Sequence, residues 1–141
     1  MQPDIPAPLS QASAVPYRMS EAGPEFCLIT SLSSGRWGFP KGLIDPGETP
    51  TETALKEALE EAGLHGQIVG EPVGDYQYAK WGTTLSVTVF LMEVTHCDTT
   101  WLEADRRQRL WVTAPQAAGM LDRHYLARLL NQAMKRLRGA G

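Results

Sequence analysis

A chain of 141 residues and 15.5 kDa is the size of one compact domain, able to bury a core without disulfide or metal staples. Its 43% hydrophobic and 21% charged residues are ordinary for a soluble globular protein, and a net charge of −3 argues against a general nucleic-acid or membrane-surface binder. That charge still allows an anionic ligand, because a bound cation and a few local Lys or Arg can dominate one cleft.

Residues 1–13 are rich in Pro, Ala, Ser and Gln and read as a flexible N-terminal tail, with an edge segment or homodimer contact as the alternative. Residues 14–141 then form the single domain. The start of the chain lacks the basic residues and apolar core of a secretory signal, and no run is long enough to span a bilayer. A reducing cytoplasm is the expected location. Cys27 and Cys97 form no Cys-x-x-Cys or Cys/His cluster and read as buried thiols.

The first strand is expected in Ala14–Ser20 and the second in Glu25–Ser31, with Phe26 to Ile29 as a buried run. Ala22-Gly23-Pro24 breaks the chain between them. After a turn at Ser33-Ser34-Gly35, an extended piece, Trp37–Pro40, leads into the glycine-containing loop Lys41–Gly47. A helix opens near Pro50. Thr49 suits the N-cap, Glu52 completes a capping box, and Gly63 supplies the stop. Ala54, Leu55, Ala58, Leu59 and Ala62 are expected to form its apolar face, with Glu57, Glu60 and Glu61 roughly opposite.

Further strands are expected over His65–Val69, Asp75–Ala79, Thr84–Val94 and Gln108–Thr113. Thr84–Val94 is apolar on both faces, the mark of a central strand covered by helices. Thr95–Arg107 reads as a polar loop. Ala114–Leu121 suits a short helix with Pro115 in its first turn, and residues 123–138 make a last helix with Leu126, Leu129, Leu130, Ala133, Met134 and Leu137 as its buried stripe. His65, His96 and His124 lack ligand spacing and read as ordinary polar residues.

The chemistry concentrates on the first helix. A like-charged pair at i,i+4, such as Glu57 and Glu61, costs roughly 0.2–0.5 kcal/mol in a bare helix. A hard divalent cation reverses that sign, and Mg²⁺ or Mn²⁺ favours carboxylate oxygens, waters and phosphates. A solvated acidic face with Glu52–Lys56 and Lys56–Glu60 ion pairs is the bland alternative. The surrounding spacing decides between them. Gly42 is followed after five residues by Glu48, and after seven more by Lys56-Glu57-Ala58, one residue, Glu60-Glu61, one residue, and Gly63-Leu64.

This pattern resembles the Nudix box, with Lys56 in place of the family's Arg. The flanking Trp-Gly-Phe-Pro-Lys-Gly and Pro-Gly-Glu resemble the branch of diphosphoinositol-polyphosphate and dinucleoside-polyphosphate hydrolases. The resemblance implies an α/β fold, a Nudix-type α/β/α sandwich with a curved mixed β-sheet and a loop–helix–loop metal site. It implies a Mg²⁺- or Mn²⁺-dependent hydrolase of diphosphate bonds in a small phosphorylated substrate. Carried over by position, Glu57 and Glu61 are the leading metal ligands, with Glu60, Glu48 and the Gly42 carbonyl in support; the base is left open among the glutamates. Lys56 is expected to neutralise Glu48 or a neighbouring Glu, less rigidly than Arg would. Arg18, Lys41 and Lys80 are candidates for phosphate binding, each set against a plain surface charge, and Glu103 for an accessory base, set against a solvated loop Glu. Hydrolysis of RNA 5′ ends or oxidised nucleotides, and a catalytically silent binding module, are the competing readings. The first would need a basic groove or base-stacking pocket that the sequence does not display. The second is disfavoured because a pure binder need not tolerate four clustered glutamates.

Overall fold

The computed structural model describes residues 9–139. Within them lie eight strands and three helices. The strands are β1 (Leu9–Ser20), β2 (Gly23–Thr30), β3 (Trp37–Gly38), β4 (Lys41–Leu43), β5 (Leu64–Ile68), β6 (Gly74–Lys80), β7 (Thr83–Cys97) and β8 (Arg109–Thr113). The helices are α1 (Pro50–Ala62), α2 (Ala114–Met120) and α3 (His124–Gly139). One mixed sheet carries the order β3-β2-β1-β7-β5, and β4, β6 and β8 pair with β1, β7 and β2. The long β1–β7 pair is parallel and the others are antiparallel.

Alternation along the central strands builds two cores. Val87, Val89 and Leu91 of β7 join Val15 and Tyr17 of β1 against α2 and α3. Phe90 and Met92 join Ala12 and Ala14 against α1. The expected sandwich, with β7 as its covered central strand, is therefore what forms.

One boundary differs. β1 begins at Leu9, not Ala14, so residues 9–13 belong to the domain; residues 1–8 lie outside the described residues. Gln11, Ala12 and Ser13 are buried because the parallel register with β7 runs from Leu9 to Tyr17. Polar, Pro-rich composition had suggested a tail, but pairing with a central strand overrides composition. A second difference lies in the expected loop, where Lys41–Leu43 pairs with β1 as a short strand. Cys27 is fully buried and its thiol is pushed up to about 12 by burial, whereas Cys97 is only half-buried. His65 and His96 both bond the carboxylate of Asp98, at 2.8 and 3.1 Å.

Candidate active site

Helix α1 is set by its ends, as the sequence indicates. Thr49 and Glu52 form the reciprocal capping box, and Pro50 occupies the first turn, where no N–H is needed. Gly63 ends the helix at φ 67°, and a Cβ there would also meet Trp101 Cβ at 2.9 Å.

The last carbonyls of a helix need external donors, and here the segment after β7 supplies them. Glu103 N–H donates to the Glu60 carbonyl, Trp101 Nε1–H to Glu61, Arg109 to Ala62 and Asp98 N–H to Gly63. This satisfaction docks the loop 98–107 onto the helix end. It is how Glu103 and Arg107 reach the acidic cluster.

The helix is rotated from the expected orientation. Ala54, Ala58 and Ala62 face the sheet, but Leu59 is 41% exposed while Glu61 is only 8% exposed. An alanine stripe lets α1 lie close over β1, and the turn carrying Glu57 and Glu61 then faces β4. Glu61 Oε1 accepts the Lys41 backbone N–H at 3.1 Å. The Glu57 carboxylate lies where a Cβ on Gly42 would be, with its Cγ 2.8 Å from that point. Glycine at 42 is thus a requirement of close approach, and its backbone lies beside the Glu57 carboxylate.

Arg107 holds the other side of Glu61. Its Nη2 bonds Glu61 Oε2 at 3.0 Å, its Nε bonds Glu103 Oε1 at 2.6 Å, and its Nη1 bonds the Thr30 carbonyl at 2.9 Å. The Arg107 side chain is 9% exposed. Burial pushes the carboxyls of Glu61 and Glu57 each up to about 7. For Glu61, Arg107 and the Lys41 N–H oppose burial without overcoming it. For Glu57, the charge of Glu60 adds to burial. Protons and any cation therefore compete for these two carboxylates near neutral pH.

Glu48 lies in a bonded network of its own. Its carboxylate accepts from Asp45 N–H, Thr53 Oγ1 and Lys56 Nζ, the last reaching both oxygens at 3.0 and 2.8 Å. Lys56 also reaches Asp45 Oδ2 at 3.0 Å. Lys56 does neutralise Glu48, and together they strap the loop onto α1. These bonds hold the loop at Glu48 against the start of the helix. The Lys56 bonds hold the Glu48 carboxyl below the usual range.

Beside Glu61 opens a cleft of about 240 Å³ whose lining includes Arg36, Lys41, Lys80, Arg107 and Arg123. Lys41 and Lys80 both line this cleft. Arg18 does not. It bonds Glu25 across the β1–β2 pair at 2.9 Å, lies over the Trp111 ring at 4.1 Å, and is absent from the cleft lining. Glu25 holds its guanidinium on the β1–β2 pair. Arg36, Arg107 and Arg123 were missed as cleft residues. The signal for Arg107 was faint: a basic residue four after Glu103 in a loop.

Among the described residues no three carboxylate, imidazole or thiol side chains converge to enclose an ion by themselves. The donor set still fits Mg²⁺ or Mn²⁺. Such ions are commonly held by one or two carboxylates, with waters and substrate phosphates completing the shell. Glu57, Glu61 and the Gly42 carbonyl would be the protein's share, and Glu60 stands one helical turn from Glu57 on the open side.

The model of the NUDIX domain matches residues 10–130. The chain is 31% identical to Nudix hydrolase 21, chloroplastic, of Arabidopsis thaliana, over 86% of this chain and 64% of that one. It is 31% identical to Nudix hydrolase 17, mitochondrial, of the same plant, over 87% of this chain and 72% of that one. Among solved structures it resembles a C. elegans Ap4A hydrolase binary complex, with a TM-score of 0.82 and 27% identity over 93% of this chain and 98% of that one. No helix of the described residues is long and apolar enough to cross a membrane.

Proposed function

The chain belongs to the Nudix family of hydrolases, and from that premise we propose that it is a Mg²⁺- or Mn²⁺-dependent pyrophosphohydrolase of a highly phosphorylated small molecule. The observation that carries the proposal is the pairing of two carboxylates with one strand: Glu57 against Gly42, and Glu61 on the Lys41 N–H, with Glu61 and Lys41 both lining a cationic cleft. The likeness to an Ap4A hydrolase favours a dinucleoside polyphosphate over a diphosphoinositol polyphosphate.

A diphosphate repels an incoming nucleophile, so hydrolysis needs charge neutralisation and a positioned water. A divalent cation would polarise the phosphoryl oxygens and lower the pKa of a water it binds. Glu57, Glu61 and the Gly42 carbonyl would hold it. Lys41 and Lys80 would bind phosphate oxygens, and Arg107 keeps Glu61 and Glu103 in place. Glu60 and Glu103 are the carboxylates near the cluster left to take the proton of the attacking water.

The test is turnover of a phosphate-containing panel with Mg²⁺ or Mn²⁺, comparing native protein with Glu57→Gln. A lost ligand for a cation that supplies several kcal/mol should cost about 10²-fold or more in kcat. Equal turnover by both proteins would remove Glu57 from the mechanism. Binding of panel members without turnover by either would favour the silent module.

A further inference from the structure

We propose that Tyr78 and Gln11 are positioning residues for Lys41, forming a hydrogen-bond chain that aims its ammonium at the phosphates of the bound substrate. The inference rests on the pyrophosphohydrolase reading above. Lys41 Nζ donates to Tyr78 Oη at 2.9 Å, and Tyr78 Oη donates to Gln11 Oε1 at 2.8 Å. Chemistry fixes the direction of this chain. An ammonium can only donate and a carboxamide oxygen can only accept, so the phenol must accept from the first and donate to the second. A phenylalanine at 78 could do neither.

Three strands converge to build it: β1 supplies Gln11, β4 supplies Lys41 and β6 supplies Tyr78. Gln11 is only 6% exposed, and a buried carboxamide oxygen requires a donor. The Lys41 backbone is pinned as well. It pairs with Ser13, its N–H bonds Glu61, and the carbonyl of neighbouring Pro40 accepts from Ser13 Oγ at 2.8 Å and Ala14 N–H at 3.1 Å. The side chain is therefore fixed at both ends before a substrate arrives.

A free lysine side chain loses much rotamer entropy on binding an anion, and tethering it in advance removes that loss. The bond to Tyr78 uses one of three N–H groups, which leaves two for phosphate oxygens. Lys80 makes a useful contrast. It lines the same cleft, but its ammonium rests 4.7 Å from the centre of the exposed Trp81 ring, with no hydrogen-bonded tether among the described residues.

The decisive measurement is a double-mutant cycle between Tyr78→Phe and Lys41→Ala. It is read by calorimetry of methylenediphosphonate, a non-cleavable diphosphate, with Mg²⁺ present, and by kcat/KM on any substrate found. Tyr78→Phe should weaken diphosphonate binding and kcat/KM by roughly tenfold, and should change neither further once Lys41 is Ala. Since Tyr78→Phe also leaves the Gln11 oxygen without its donor, the double variant Tyr78→Phe with Gln11→Leu serves as a control without an orphaned amide. It should show the same tenfold loss. Additive effects of Tyr78→Phe and Lys41→Ala would overturn the positioning role even if the enzyme is active. Coupled binding with no turnover would instead retain it and fail the hydrolase reading. Absence of any diphosphonate binding to the native protein would overturn both.

Discussion

Glu57 and Glu61 stand one helical turn apart on α1, whereas the cations that line the cleft beside Glu61 share no element. Lys41 comes from β4, Lys80 from the end of β6, Arg36 from the turn before β3, and Arg107 and Arg123 from segments before β8 and α3. The acidic side is made locally, by helical spacing and caps within about a dozen residues. The cationic side is made by long-range contacts: Arg107 with Glu61 and Thr30, Arg123 with the Trp37 carbonyl, Arg36 with Asp122, Lys41 with Tyr78. A local acidic cluster is a liability that the helix cannot resolve by itself, since its carboxylates repel and Glu61 is buried. Arg107, reaching in from the loop before β8, is the remote cation that offsets it.

The strongest way to break that comparison is Arg107→Ala. Removing one member of a buried ion pair leaves a buried charge without its partner and costs about 3–5 kcal/mol. The loss should depend on pH with a definite sign. Glu61 already has its carboxyl raised to about 7 by burial, with Arg107 lowering it. Without Arg107 it rises further, so the unfolded chain, whose Glu titrates near its ordinary value, binds fewer protons than the folded one over a wider window. Stability of the variant should fall as pH rises from about 5 to about 8, and the gap to the native protein, which at pH 5 still includes the lost Thr30 and Glu103 bonds, should be smaller at pH 5 and largest at pH 8. Mn²⁺ should recover part of it by replacing the lost cation. Chemical denaturation at the two pH values measures this; a gap that is small or independent of pH would mean the remote cation does not support the acidic side.

Gly42→Ala sharpens the comparison from the acidic side. Gly42 has no left-handed φ, so alanine meets no backbone penalty, and its whole effect is the overlap of Cβ with the Glu57 carboxylate. Overpacking of this kind costs about 1–3 kcal/mol. The carboxylate must move, so Mn²⁺ affinity should fall on the order of tenfold while the circular dichroism spectrum stays native. Unchanged affinity by titration would show that Glu57 need not lie against Gly42 to bind metal.

These two positions also mark what the sequence could disclose. The caps at Thr49, Glu52 and Gly63, and the Gly42-to-Gly63 spacing, are local signals, so the helix and its acidic content were readable in advance. Arg107 was not, because its partners Glu61 and Thr30 lie 46 and 77 residues away. The rotation of α1 was misjudged for a related reason. Helical periodicity makes Leu59 a natural core residue, but the sheet selects the alanine stripe, and β4 and Arg107 can satisfy Glu61 in a buried place. Gln11 was hidden by composition, since nothing in Ser-Gln-Ala-Ser shows that β7 will pair with it in parallel.

Lys56→Arg is the smallest expected effect and tests where the local side ends. Lys56 bonds Glu48 and Asp45 and forms no ion pair or hydrogen bond with Glu57 or Glu61, so it acts on Glu57 only through its charge and otherwise through the loop it straps to α1. All three ammonium N–H groups are used: two on Glu48 and one on Asp45. A guanidinium would reach both Glu48 oxygens with a fork of parallel bonds and still have donors for Asp45. The pair lies near the surface, where ion-pair exchanges change an equilibrium constant by no more than about fivefold. Mn²⁺ affinity and kcat should therefore stay within about fivefold of native, while Lys56→Met, which releases the strap, should weaken Mn²⁺ binding more than Arg does. If Lys56→Arg shifted affinity as far as Gly42→Ala does, the lysine would be orienting the ligands directly, and the division between a loop anchor and a metal-binding pair on the same helix would not stand.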